Sequence, residues 1–198
     1  RYLAQVAEVD LGAAAETLGA TLDEDALLVR LFGRTYRVSG ETIVDEEGKQ
    51  PIHSVSVVLA RYVILCPESV PAAGDWVTYK DFRDAAPFVG GFVNNSEKAI
   101  ANHFGGRLDV LRRACEGLGG TEADMQVSYE LVRRFDGLPR VPLVLLYNDQ
   151  DEEFPAESTI LFEKRAERFL DMECLAILGW LLADELKRAV GEARETVM

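Results

Sequence analysis

Cysteine and histidine are scarce in this sequence of 198 residues, which has three cysteines and two histidines. Cys66, Cys115 and Cys174 lie far apart, and no Cys-x-x-Cys pair occurs. An odd number of widely spaced cysteines is not the disulfide framework of a secreted protein. His53 and His103 do not have the spacing of a two-histidine zinc motif. We therefore expect buried free thiols in a reducing cytoplasm, and no iron–sulfur cluster within this chain, because a cluster needs closely spaced cysteines.

Basic residues are fewer than acidic ones. The chain has 34 acidic residues against 21 Lys and Arg, which gives a formal net charge of −13. A field of this sign repels phosphate backbones, whereas nucleic-acid binding needs a basic face. The composition therefore excludes nucleic acid as a partner, and it suits solubility or attraction to a basic surface on another protein.

No hydrophobic run is long enough for a membrane helix. The longest, over residues 174–183, is interrupted by Gly179 and falls well short of about 18 apolar residues. The first twenty residues have no apolar core flanked by basic residues, so we expect no signal peptide. Because the sequence opens with Arg1 rather than Met, residues upstream of Arg1 can be missing. We expect a soluble cytoplasmic protein without a membrane partner.

The sequence also lacks the common catalytic motifs. Neither a G-x-S-x-G elbow nor an H-E-x-x-H motif is present. The glycine-rich segment 117–120 is not followed by the Lys-Ser/Thr pair that binds phosphates. His53 and His103 have no catalytic partner beside them in the sequence. The pattern therefore favours a protein that is not an enzyme, and we assign no catalytic residue.

What the sequence does contain is the composition of an ordinary globular protein, with 48% hydrophobic and 28% charged residues. A chain of this length forms one large domain or two small ones, and no linker rich in Pro, Gly or Ser marks a boundary. We predict a single α+β domain over residues 1–198. Its β structure is expected to be largely antiparallel and to pack against a helix over 52–66 and an apolar C-terminal helix.

Turn residues and periodicity assign the elements of the first half. Gly33-Arg34 stands between two apolar runs, and a leading glycine is typical of a type II′ hairpin because its φ must be positive. An apolar stripe at helical spacing precedes Pro67, which cannot continue a helix. The expected elements are a helix ending at Gly19, strands over 26–32, 35–39 and 42–44, and a helix over 52–66.

The second half is assigned in the same way. Gly90-Gly91 is expected to break any long element, and Asp136-Gly137 to turn the chain. Asp171 is expected to N-cap the last helix, with Leu170 and Leu175 as its hydrophobic staple. The expected strands are 76–79, 127–132, 141–147 and 159–162, with 141–147 central because both of its faces are apolar; the expected short helices are 97–104 and 107–118.

The densest group of potential ligands lies in the acidic loop, residues 149–155, through Asp149, Asp151, Glu152, Glu153, Phe154 and Pro155. Closely spaced carboxylates repel one another, and a hard cation such as Ca²⁺, Mg²⁺ or Mn²⁺ relieves that repulsion. Asp149, Asp151 and Glu153 are thus candidate metal ligands, although the spacing is not that of an EF-hand. The same pattern is typical of a solvated hairpin tip, and of a docking patch with Phe154 as its apolar anchor. We expect the whole loop to project into solvent, beyond the reach of basic groups.

Three segments resemble a known family: 74–79 (Gly-Asp-Trp-Val-Thr-Tyr), 138–143 (Leu-Pro-Arg-Val-Pro-Leu) and 151–156 (Asp-Glu-Glu-Phe-Pro-Ala), followed by Leu161-Phe162. They look like an uncharacterised domain family of anaerobic bacteria and archaea. Some members follow a small cysteine-rich iron–sulfur module of the corrinoid iron–sulfur protein type. The resemblance implies an accessory domain near redox or corrinoid machinery and marks residues 151–155 as a possible site. Because the family has no assigned reaction, no catalytic residue is transferred.

The sequence thus favours a non-enzymatic accessory or binding domain that recognises a protein partner through the acidic loop. One alternative is a metal-dependent hydrolase or transferase that uses the carboxylates of residues 149–153. A second is a small-molecule or corrinoid binding protein with an aromatic pocket of Trp76, Tyr79 and Phe82, although aromatic residues in a strand usually belong to the core. The sequence does not indicate a cofactor or an oligomeric state.

Overall fold

The computed structural model describes residues 1–191, and it begins with two short helices in place of one. Helix α1 spans Tyr2–Val6 and α2 spans Leu11–Leu18. The chain leaves the helical conformation at Asp10, whose carboxylate accepts a hydrogen bond from the Ala13 N–H at 3.0 Å. Asp10 is an N-cap, so it starts a second helix. The predicted end at Gly19 is confirmed by its left-handed conformation, with φ of 65°.

A four-stranded antiparallel sheet follows, with its strands in chain order. The strands are β1 (Thr21–Asp23), β2 (Ala26–Leu31), β3 (Arg34–Val38) and β4 (Ile43–Asp45). The strands predicted over 26–32, 35–39 and 42–44 are confirmed as β2, β3 and β4. The exposed strand β1 was not predicted, because no apolar residue alternation marks it.

The hairpin turn between β2 and β3 lies one residue earlier than predicted. Leu31 pairs with Arg34, so the turn residues are Phe32 and Gly33. Both have positive φ, 46° and 80°, which is typical of a type I′ turn and not of type II′. The Phe32 side chain is buried, and its N–H donates to the Gly137 carbonyl at 2.9 Å. Tertiary contacts therefore hold a phenylalanine where glycine or asparagine is usual.

The second sheet has five antiparallel strands in the order β5-β9-β8-β7-β6. They are β5 (Trp76–Thr78), β6 (Thr121–Glu122), β7 (Leu131–Leu138), β8 (Val141–Asn148) and β9 (Glu157–Glu163). The central position predicted for residues 141–147 is confirmed by β8, which pairs with β9 as predicted for 159–162. The predicted class, α+β with antiparallel sheets and a C-terminal helix, is confirmed.

Two predictions about the second sheet are wrong. The strand expected over 127–132 begins only at Leu131, because residues 123–130 are neither helix nor strand. Asp136-Gly137 does not turn the chain but lies inside β7, at a bulge, and the turn is formed by Pro139-Arg140. A Cβ atom at Gly137 would collide with the Leu143 side chain. This glycine therefore permits a close approach of two strands and does not mark a turn.

Helix α3 (His53–Ile64) confirms the helix predicted over 52–66. Its Tyr62 hydroxyl donates to the Leu18 carbonyl at 2.7 Å and accepts from the Arg140 N–H at 3.1 Å. Tyr62 is fully buried, so these bonds satisfy a polar group inside the core. They join α2, α3 and the turn between β7 and β8.

A continuous helical stretch runs from residue 89 to residue 104. It comprises α4 (Val89–Phe92), a π-helical segment (Val93–Glu97) and α5 (Lys98–Phe104), and α6 (Leu108–Gly117) follows it. The helices predicted over 97–104 and 107–118 are confirmed as α5 and α6. The break expected at Gly90-Gly91 is wrong, because both residues lie inside α4. A Cβ at Gly91 would be 3.8 Å from the Trp180 ring, which is ordinary van der Waals contact, and a Cβ at Gly90 would meet nothing within 4 Å, so neither position requires glycine for packing.

The last helix, α7, spans Met172–Ala189 and confirms the predicted start. The Asp171 carboxylate accepts from the Cys174 N–H at 2.9 Å and also pairs with Arg61 of α3 at 2.7 Å. Leu170 and Leu175 are both fully buried at this end of the helix, as a hydrophobic staple requires. Among the described residues, no helix is long and apolar enough to cross a membrane.

The main core takes side chains from both sheets and from the helices. A smaller cluster, formed by Val144, Leu146 and Leu161, lies apart from it, with Trp76 packed against it. The three cysteines are free, and Cys115 and Cys174 are buried as expected, whereas Cys66 is only partly buried. Burial raises the pKa of the Cys115 thiol to about 12. That residues 1–198 form a single domain stays a prediction, and residues 192–198 lie outside the described part.

Candidate functional site

The acidic loop connects β8 and β9, two neighbouring inner strands of the second sheet. Residues 151–155 are all exposed, as predicted. The Phe154 side chain is 65% exposed, the highest value among the large hydrophobic residues exposed in the described chain. No ion pair of the described residues involves the carboxylates of Asp151, Glu152 or Glu153. The loop therefore presents an aromatic ring beside unpaired negative charge.

Hydrogen bonds within the loop fix its conformation. The Asp151 carboxylate accepts from the N–H groups of Glu153 at 2.8 Å and Phe154 at 2.7 Å. The Asp151 N–H donates to the Phe154 carbonyl at 2.9 Å. The N–H groups of Phe154 and Glu153 hold the pKa of Asp151 below its ordinary value of 3.8. This Asx-type turn fixes the backbone at Phe154, whose side chain is exposed.

Asp149 departs from the expectation that the whole loop projects into solvent. It is half-buried, and its carboxylate accepts from the N–H groups of Gly106 at 2.6 Å and Leu108 at 3.2 Å and from the Tyr147 hydroxyl at 3.1 Å. Partial burial opposes its ionisation, but these donors and the Gln150 N–H outweigh that effect and lower its pKa. Asp149 therefore binds the N-terminus of α6 and is only partly exposed, unlike residues 151–155.

The candidate metal ligands Asp149, Asp151 and Glu153 are not assembled into a cluster. In the part of the chain that the structure describes, no three His, Cys, Asp or Glu side chains are placed to hold a metal ion. The Asp149 and Asp151 carboxylates are instead bonded to backbone N–H groups. Metal binding by these residues stays a prediction that the geometry does not favour.

The three residues suggested for an aromatic pocket do not come together. Tyr79 and Phe82 are 1% and 2% exposed and belong to the main core, where Tyr79 stacks on Phe92 with ring centroids 4.2 Å apart. Trp76 instead packs against the smaller cluster that contains Val144. The aromatic residues of this region are therefore packing residues, and Trp76 stays only a predicted binding residue.

A cleft that was not predicted from the sequence lies between the π-helical segment, α5 and α7. This α5–α7 cleft has a volume of about 740 Å³. It is lined by Asn94, Asn95, Ala99, Asn102, His103, Trp180, Asp184 and Lys187. A volume of this size is typical of small-molecule sites, for which about 300–1,000 Å³ is usual.

One wall of the cleft is the π-helical segment, which is hydrogen-bonded to strand β9. The buried Ser96 hydroxyl donates to the Phe92 carbonyl. The Glu97 carboxylate accepts from the Ile160 N–H of β9 at 3.0 Å, and the Ser158 hydroxyl donates to the Glu97 carbonyl at 2.7 Å. Burial of Glu97 raises its pKa. A π-turn contains one more residue than an α-turn, which lets both Asn94 and Asn95 border the cleft.

The opposite wall is a stripe of α7. Trp180, Asp184 and Lys187 stand at positions i, i+4 and i+7, so they share one helix face. A Cβ atom at Gly179 would be 2.5 Å from the Phe92 ring, so this glycine allows α7 to approach the segment opposite. The sequence signal for the cleft is this spacing together with Asn95 and Asn102, seven residues apart. It becomes visible only once residues 89–104 are known to be continuously helical.

Comparison with known families identifies the chain. The model described as Domain of unknown function (DUF3786) matches residues 10–185 of the 198 residues. The chain belongs to this family. The match includes the acidic loop and every residue lining the α5–α7 cleft except Lys187. This match confirms that the chain resembles a domain family of unknown function. No curated protein and no solved structure matches the chain.

Proposed function

We propose that this chain is a non-enzymatic binding domain that docks on a protein partner through residues 151–155 of the acidic loop. The observation that carries the proposal is the 65% exposure of Phe154 in a turn closed by Asp151. A large aromatic side chain that is held in solvent by its own backbone gains free energy only when something covers it. Full burial of such a side chain contributes about 1.5–3 kcal/mol.

The fixed conformation of the loop favours binding for a second reason. Association costs conformational entropy when a flexible loop must be ordered, and a loop that is already ordered avoids most of this cost. The hydrogen bonds of Asp151 to Glu153 and Phe154 supply that order before a partner arrives. The loop therefore has the properties of an interface anchor.

The charges around Phe154 define the partner surface. Glu152 and Glu153 are exposed, and the whole chain has a net charge of −13. Such a field accelerates the approach of a positively charged surface and repels an acidic one. We infer a partner with an apolar pocket that receives the Phe154 ring and a basic rim around that pocket.

The resemblance stated above suggests which partner to try first. It supports a redox or corrinoid/iron–sulfur protein of an anaerobe, with this chain as an accessory domain. We also propose a cytoplasmic location, which the free thiols Cys115 and Cys174 support, because such thiols are typical of reducing compartments.

The test compares the wild-type chain with the double variant Glu153→Lys/Phe154→Ser. Binding to a purified corrinoid iron–sulfur protein is titrated, and proteins captured from an anaerobe extract are quantified in parallel. We expect the affinity for the partner to fall at least about 100-fold, since an apolar anchor and a favourable charge are both lost. The melting temperature should change by less than about 2 °C, because both side chains are exposed.

A matched control is Phe88→Ser, because Phe88 is also exposed, at 36%, but lies outside the loop. This variant should bind like the wild type. Undiminished capture by the double variant would remove the docking proposal. Capture of a different protein, with no binding to the corrinoid iron–sulfur protein, would remove only the suggested partner class.

A further inference from the structure

We propose that the α5–α7 cleft binds an uncharged polyhydroxyl molecule of the saccharide class. This inference is independent of the acidic loop, since the two regions share no residue. It rests on the hydrogen-bonding groups, the charge balance and the aromatic surface that line the cleft.

The hydrogen-bonding groups are mostly side-chain amides. Asn94, Asn95 and Asn102 each offer one acceptor oxygen and an NH₂ group with two donors. All three side chains are exposed, and none of them hydrogen-bonds to another residue within the described range 1–191. A ligand group that both donates and accepts can satisfy both ends of an amide at once. Hydroxyl groups have this property.

The charges of the cleft are balanced. Asp184 and Lys187 contribute one negative and one positive charge, and neither forms an ion pair with a described residue. The other titratable side chain of the lining, His103, packs edge-on against the Phe104 ring. A phosphate accepts hydrogen bonds but cannot donate them when fully ionised, and here it would meet one ammonium and one repelling carboxylate. A cation would meet one carboxylate and one repelling ammonium. A neutral ligand avoids both penalties.

Trp180 supplies the apolar part of the site. Its ring is partly exposed in the cleft and offers a flat apolar surface to the C–H face of a sugar ring. Its indole Nε1 is enclosed and has no hydrogen-bond partner among the described residues. A buried donor without a partner costs about 1–3 kcal/mol. Because Nε1 is enclosed, the indole contributes its apolar ring surface to the cleft and not this donor.

The cleft is built on rigid elements. The π-helical segment is fixed to β9 through Glu97, which accepts from the Ile160 N–H, and through the Ser158 hydroxyl. π-turns inside helices are frequent at functional sites. The volume of about 740 Å³ is large enough for a mono- or disaccharide.

The two tryptophans of the chain allow a direct test by fluorescence. The variant Trp76→Phe retains only Trp180 as a reporter, and it is titrated with glucose, galactose, maltose and lactose up to about 100 mM, because weak sugar sites have dissociation constants on the order of 1 mM. At least one of these sugars should cause a saturable change in emission. Inorganic phosphate and arginine, titrated in the same way, should cause none.

The variant Asn95→Ala/Asn102→Ala, made in the Trp76→Phe background, should weaken sugar binding at least about tenfold, since two hydrogen-bonding amides are lost. Its melting temperature should be unchanged, because both side chains are exposed. The matched variant Trp180→Phe, which retains Trp76, should show no saturable change in emission. The proposal is overturned if no sugar gives saturation, if the response survives both Asn substitutions, or if phosphate or arginine binds instead.

Discussion

Asp149 and Asp151 are two residues apart in one acidic loop, yet they belong to different parts of the structure. The Asp151 carboxylate closes the turn that exposes Phe154. The Asp149 carboxylate binds N–H groups at the N-terminus of α6. The two residues look equivalent in the sequence. Their hydrogen bonds show that Asp151 shapes the exposed turn, whereas Asp149 stabilises the start of α6.

This difference predicts unequal effects of two substitutions in the loop. Asp149→Ala should lower the free energy of unfolding by about 1–2 kcal/mol, because N–H groups at a helix start lose their acceptor. Glu152→Ala should change it by less than about 0.5 kcal/mol, because that side chain is exposed and unpaired. Urea denaturation measures both. Equal effects would contradict the assignment of Asp149.

The pH dependence of Asp171 gives a second prediction at this scale. Partial burial opposes its ionisation, but the Cys174 N–H and the Arg61 guanidinium outweigh it, so its pKa in the folded state lies below the ordinary value of 3.8. The unfolded chain therefore binds the proton more readily, and the stabilisation is present above pH 3.8 and lost as the pH falls through the folded pKa.

The variant Asp171→Asn retains a capping oxygen but cannot ionise. We expect it to be less stable than the wild type by about 1 kcal/mol at pH 7, a modest value because the ion pair is partly exposed. The difference should shrink below pH 3.8 as the wild-type carboxyl becomes protonated. Urea titrations between pH 7 and pH 2.5 or so measure it. A constant difference over this range would show that ionisation of Asp171 does not stabilise the fold.

At the scale of elements, two helical glycines have opposite roles. A Cβ at Gly179 would lie 2.5 Å from the Phe92 ring, which is itself stacked on Tyr79 and cannot move away. A Cβ at Gly90 would meet nothing within 4 Å. One glycine is therefore required for helix packing, and the other only weakens its helix.

Alanine substitution separates these roles. Gly179→Ala should destabilise the fold by about 1–3 kcal/mol through overpacking. Gly90→Ala should stabilise it by about 0.5–1 kcal/mol, because alanine has the higher helix propensity. Thermal and urea unfolding of both variants check the signs. Stabilisation by Gly179→Ala would contradict the close packing of α7 against the helical stretch 89–104.

The elements that could be predicted from the sequence are those whose signals are local. Strand β8 is apolar on both faces, and α7 has a capping aspartate at Asp171 followed by a long apolar stripe. The turn at Phe32-Gly33 was misplaced because a phenylalanine with positive φ is uncommon, and it is held there by the burial of its side chain and by the bond to Gly137. The local sequence pattern does not predict that contact, because Gly137 is distant in the sequence.

The same reasoning explains why only one of the two candidate sites could be predicted from the sequence. The exposed loop around Phe154 could be found because charge and an aromatic residue are adjacent in the sequence. The α5–α7 cleft brings together residues about 80 positions apart, such as Asn102 and Trp180. Its geometry depends on the π-helical segment, which is held by the bond between Glu97 and Ile160 and has no sequence signature.

At the scale of the whole molecule, the net charge of −13 is the dominant property. Repulsion among these charges opposes the compact state, and salt screens it over a distance of about 10 Å at 0.1 M. We therefore expect the melting temperature to rise by a few degrees between about 20 mM and 500 mM NaCl. A melting temperature that falls over this range would mean that ion pairs such as Arg61–Asp171 outweigh the overall repulsion.

The most direct test of the docking role is photo-crosslinking from the position of Phe154. A benzoylphenylalanine placed there is compared in living cells with the same residue placed at Phe88, which is also exposed. We predict that irradiation joins the residue at position 154 to one basic protein, that position 88 gives no such adduct, and that Glu153→Lys reduces the yield. Absence of a specific adduct at position 154, or equal adducts at both positions, would contradict the account.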